Sequence, residues 1–168
     1  MNAAVWLGSA VFFTFSAAPA FFSADMKQTL GAANYPYFSG AIAQIVLARY
    51  FAVSLTCAVI AAVHLLLEWL YMGRPARKFS LALVGGLLAF TLLGGNWLQP
   101  KMKKLHAVRY AVNVQSAERD AAAKSFRLWH AAAQILNVIM LAALVVYVWR
   151  VANPSDNLRF VRPATFRG

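Results

Sequence analysis

Charged side chains are absent from residues 1–24, 50–67, 79–100 and 128–149. Each stretch is close to the ~20 residues that carry an α-helix across a ~30 Å hydrocarbon layer. Within lipid the backbone must satisfy its own hydrogen bonds, so four such runs predict four membrane-spanning helices. The expected fold is all-α: an integral membrane four-helix antiparallel bundle, with an interfacial amphipathic helix between helices three and four. The spans are placed at about 2–22, 41–72, 79–99 and 125–151 within one domain covering 1–152. Residues 153–168 form a basic C-terminal tail carrying Arg159, Arg162 and Arg167.

The first apolar run differs from a secretory signal peptide. It has no basic segment ahead of it and exceeds the usual ~7–15 apolar residues, so it is taken as helix one. Residues 100–124 connect helices three and four. There Met102, Leu105, Val108 and Val112 recur at helical spacing, while Lys101, Lys103, Lys104 and Arg109 supply positive charge. That pattern suits a helix lying at the headgroups of anionic lipids.

Composition agrees. In 168 residues, 61% are hydrophobic and 12% are charged. The formal net charge of +11 does not call for nucleic acid, because the basic residues flank the spans and no base-reading module accompanies them. The lone Cys57 permits neither an intrachain disulfide nor a cysteine-based metal cluster. Basic residues are nearly balanced between the two sides. The compact group Arg74, Arg77 and Lys78 beside the termini directs the termini to the cytoplasm.

Helix four carries a polar stripe of Arg127, His130, Gln134 and Asn137, spaced i, i+3, i+7 and i+10 along one face. Polar groups inside a span mark functional sites by default. Counting along the helices places Arg49 and Asn96 in the same leaflet, so a polar intramembrane cluster is expected from at least three helices. Interhelical hydrogen bonding is the simpler role for such residues, at ~0.6 kcal/mol on average. Near the other membrane face, His64 and Glu68 stand i and i+4 on helix two, where Arg150 should also lie. They form a candidate ion pair or proton relay, with Arg74 as a further possible partner for Glu68.

The motifs carrying these residues resemble the transmembrane protein 205-like family, whose bacterial members form a domain of unknown function. The likeness rests on Trp6-Leu-Gly-Ser-Ala-Val-Phe-Phe, Ala18-Pro19-Ala-Phe21 and Arg49-Tyr50-Phe51. It continues through Asn96-Trp97-Leu98-Gln99-Pro100 and Phe126-Arg127-Leu-Trp129-His130 to Asn137, in the family's order. Ala131, Ala132 and Ala133 stand where similar proteins carry small and hydroxyl residues. The resemblance implies a four-helix protein of the bacterial inner (plasma) membrane and supplies no reaction.

No phosphate-binding glycine loop, nucleophile elbow or catalytic carboxylate pair is present, so no enzyme is expected. No cofactor or metal is expected either. Haem b is the alternative, weighed because four-helix membrane bundles often hold it between two histidines. His64 and His130 enter from opposite faces, each about two turns deep, which separates them too far for one iron. His106 in the connection could approach His130. The leading functional expectation is a non-catalytic accessory or scaffolding subunit that packs against other membrane-protein subunits. A small-solute or ion permeation or export protein is the alternative, and a haem- or copper-associated carrier a further one.

Overall fold

The computed structural model describes residues 1–72 and 78–153. The link at 73–77, with Arg74, and the tail at 154–168 lie outside the described residues. Among the described residues there is no strand. Helix α1 covers Asn2–Ala20, α3 Tyr35–Met72, α4 Lys78–Arg109 and α5 Ser116–Ala152, and the short α2 covers Ala24–Leu30. The four long helices are apolar enough to cross a membrane, and the molecule is an integral membrane protein by that length and composition.

Successive long helices run antiparallel and pack in a ring: α1 on α3, α3 on α4, α4 on α5, and α5 back on α1. Their core is Trp6, Ala10, Tyr50, Cys57, Ala58, Ala61, Val84, Leu87, Met140 and Leu144. Alanines and Cys57 bring the helices close enough for the large side chains to interlock, which is how packing replaces the hydrophobic effect in lipid. Trp6 is fully buried and meets Tyr147 edge-on at 6.2 Å. Asn2 Nδ2 donates to the Cys57 carbonyl at 2.8 Å, tying the start of α1 to α3. Neither Gly8 nor the Gly85–Gly86 pair faces another helix closely, so small residues alone do not mark the contact faces.

Helix boundaries depart from the sequence reading in three places. Helix α3 starts at Tyr35 instead of near 41, because Pro36 sits in the first turn, where a missing N–H costs nothing. Helix α4 does not stop at 99 but continues to Arg109. Helix α5 starts at Ser116 instead of 125, with Glu118 in its first turn favouring the positive end of the helix dipole. The segment 100–124 is helical for most of its length, as its periodicity suggested. It is divided between the end of α4 and the first turns of α5 and forms no separate helix. The short α2 is capped by Ser23, whose hydroxyl accepts from the Met26 N–H at 3.2 Å, and ends at Gly31 with φ of 73°.

These extensions set the shape. Helix α1, at 19 residues, is about the thickness of the hydrocarbon layer. Helices α3 and α5 approach 57 Å and α4 about 48 Å, well beyond it. Helix α3 runs on to Met72 past the start of α1, which Asn2 ties at Cys57. The rest of the surplus lies on the side of α2 and the 110–115 turn, where α4 carries Lys101, Lys103, Lys104 and Arg109 and α5 carries Glu118, Arg119, Asp120 and Lys124. This end is the head of the bundle.

Candidate functional site

Two helices contain one wide turn each, with π geometry: Phe13–Ala17 in α1 and Gly94–Leu98 in α4. Each is followed two residues later by a proline, Pro19 and Pro100 respectively. Proline lacks the N–H for the carbonyl one turn back, and its ring crowds that carbonyl. Widening the preceding turn relieves the crowding without ending the helix. Such π-turns are frequent at functional sites.

The two wide turns lie against neighbouring residues of α3, one each. The Phe13 ring stacks on Tyr50 at 4.6 Å and 12°. Phe51 lies across Gly94 and Gly95, with its Cβ 3.3 Å from where a Cβ on Gly95 would stand. A side chain at Gly94 would meet the Phe51 ring directly, so this glycine permits the close approach, and a side chain at Gly95 would be tight against Phe51. From α5, Met140 accepts a long 4.0 Å contact from the Tyr50 hydroxyl, and Asn137 Nδ2 donates to Thr14 Oγ1 at 2.8 Å inside the first wide turn.

Beyond this level the head is built from aromatic rings. His106 is 6% exposed, and its imidazole packs against Gly40 through its Nε2 end, where any side chain would collide with it. Tyr37 stacks on it at 5.5 Å, Tyr110 leans against it at 5.0 Å, and Phe126 lies at 6.0 Å. Phe126 also stacks on His130 at 5.9 Å and 8°. His106 Nε2 has no hydrogen-bond partner among the described residues. Nearby, Trp97 and Trp129 meet edge-on at 5.1 Å, and Lys101 Nζ sits 3.8 Å from the Trp129 ring centre and 5.0 Å from that of Trp97.

The sequence-derived cluster is distributed differently from the expectation. Asn137 is half-buried and bonded, as above. Arg49, Asn96, Arg127, His130 and Gln134 are exposed on the outer surface of the bundle and do not converge on an internal cavity. Two open concavities lie elsewhere, one beside Arg109, Ser116 and Arg119 and the other beside α2. At the opposite end, His64 Nε2 and Glu68 Oε1 are 3.3 Å apart on the outside of α3. Arg150 does not join them: its guanidinium lies over the Phe79 ring at 4.6 Å. Of the four basic residues assigned to headgroups, Lys103, Lys104 and Arg109 are exposed, with Arg109 over Tyr110 at 5.1 Å, whereas Lys101 is half-buried between tryptophans. Among the described residues no group of three or more His, Cys, Asp or Glu gathers. His106 and His130 each pack on Phe126.

Sequence reasoning gave no site role to Phe13, Thr14, Tyr37, Gly40 or Phe126, although Phe13 and Phe126 fall within the motifs quoted above. The recurring Pro19 and Pro100 were the available signal, since each marks the turn ahead of it.

The profile of a family described as a domain of unknown function (DUF4149) matches residues 1–111. The chain belongs to the DUF4149 family. The matched stretch contains α1 through α4 and so both wide turns, the Arg49-Tyr50-Phe51 segment and His106; α5, with the polar stripe, lies beyond it. No curated protein and no solved structure matches the chain.

Proposed function

We propose that this DUF4149 protein is a non-catalytic accessory or scaffolding subunit that packs against other proteins in the membrane. One observation carries the reading: polar residues of the spans, His130 and Gln134 on α5 and Arg49 on α3, face outward instead of lining an internal cavity. Polar side chains on a lipid-facing surface are costly unless a neighbour pairs with them. The likeness to transmembrane protein 205-like proteins supports the bacterial inner membrane as its place, and the Arg74, Arg77 and Lys78 group supports cytoplasmic termini. Gentle solubilisation followed by native mass measurement and crosslinking tests the reading. Stoichiometric copurification of a membrane protein is expected, and a strictly monomeric particle with no copurifying protein overturns it.

A permeation or export role is the second reading, favoured by the two proline-linked wide turns that flank Tyr50 and Phe51. Irregular backbone at membrane depth elsewhere lines solute paths. That role requires Arg49→Ala and His130→Ala to reduce flux through reconstituted protein; unchanged flux excludes both residues from a path.

A further inference from the structure

Helix α5 presents an outer stripe of Arg127, Ala131, Gln134, Val138 and Val145, all exposed, interrupted at Leu141, which packs against the core. Their spacing of four, three, four and seven keeps them on one line of the helix. Gln134 stands about 10 Å from Arg127 and about 24 Å from Arg150 along the axis. If these two arginines mark the membrane edges, Gln134 is inside the hydrocarbon, and its amide is too short to reach water. It forms no hydrogen bond among the described residues, unlike Asn137 one turn further along. An amide facing lipid carries both donors and its acceptor unsatisfied, which is unfavourable by kilocalories.

We infer that this stripe is the interface of a parallel homodimer, in which Gln134 pairs with Gln134 of a second copy. The inference rests on the packing-surface reading above and names its partner. An amide is both donor and acceptor, so two glutamines related by a two-fold axis exchange reciprocal hydrogen bonds. Two copies inserted in the same direction bring Gln134 to the same depth automatically, whereas a different partner would need its own polar group at that level. Residues 128–149 carry no charge, so this part of the stripe asks for no oppositely charged partner. Ala131, one turn from the glutamine, lets the two backbones approach. Arg127 lies at the aqueous end, where its long side chain turns away from its counterpart.

The test uses the purified full-length chain alone in liposomes. Cys57 is 4% exposed, so an introduced thiol is the accessible one. Ala131→Cys and Val138→Cys should form disulfide-linked dimers on mild oxidation, whereas Val11→Cys and Ile60→Cys, exposed on α1 and α3, should not. Gln134→Leu, which favours membrane insertion, should weaken dimerisation measured by energy transfer about five-fold. Retained helicity in circular dichroism shows that the variant still folds. Dimers that persist unchanged in Gln134→Leu, or equal crosslinking at all four positions, overturn the inference. A monomer in liposomes overturns it too. If that monomer still copurifies with another protein from native membranes, the subunit reading survives; if it copurifies with none, both readings fall.

Discussion

The head continues three of the four long helices that form the middle of the bundle, and the two regions are held together by different means. In the middle, Trp6, Leu87 and Leu144 interlock with alanines, and the polar links are few: Asn2 to a carbonyl and Asn137 to Thr14. Lipid surrounds this part, so association there depends on shape and close contact, because apolar burial is gained against lipid as readily as against protein. In the head, rings of Tyr37, His106, Tyr110 and Phe126 pack together and Lys101 caps a tryptophan pair. Water and headgroups border this end, and burying aromatic area there recovers the ordinary hydrophobic stabilisation. One helical frame thus passes through two solvents and changes its adhesive where the solvent changes.

The sharpest way to break this contrast is Trp6→Ala. Emptying a fully buried site should cost about 3 kcal/mol. The loss should appear in reversible unfolding in micelles, with amide exchange of residues 99–109 unaltered; a head that loosens equally would mean that the two regions are one cooperative unit. Next in size is Gly40→Ala, which forces His106 out of its seat at a cost of about 2 kcal/mol. Faster exchange should be confined to 35–44 and 99–109, and adding His106→Ala should restore protection. No rescue would show that the glycine matters for a reason other than this contact.

Lys101→Met should remove about 1 kcal/mol of cation–π stabilisation. It should also shift the emission of Trp97 and Trp129, and an unmoved spectrum in the purified protein would show that the ammonium does not rest on the rings. Smallest is Asn137→Ala, at about 0.6 kcal/mol. Combined with Thr14→Val, it should cost no more than either change alone, since both remove the same hydrogen bond. Additive losses would place their contributions elsewhere.

The spans were legible because exclusion of charge over some twenty residues has one physical reading in a chain this apolar. The head was only half legible. Lys101, Lys103, Lys104 and Arg109 mark residues 100–109 as a charged stretch, yet positive charge does not distinguish a separate interfacial helix from a continuation of the span before it. Pro100 suggested an end to helix three, because its effect on the preceding turn depends on the tertiary packing of Phe51 over Gly94. The direction of the α5 stripe was similarly hidden. A period of 3.6 groups Arg127, His130, Gln134 and Asn137 together but does not say which side of the helix meets its neighbours, and Asn137 alone sits close enough to the inner side to find a partner.

The wide turn in α4 also keeps time along its helix. Gly94, Leu98, Met102 and His106 are all buried, each four residues after the last. On an unbroken α-helix, steps of four drift by about 40° each, so His106 would point about 120° away from the direction of Gly94. Yet both face α3, Gly94 against Phe51 and His106 against Gly40. The extra residue taken up by the turn withdraws about 100° of that rotation. Pro100 therefore acts on the head as a phase correction, and straightening the turn without deleting a residue would swing the His106 imidazole off its glycine while leaving the contacts of α4 ahead of Gly94 in place.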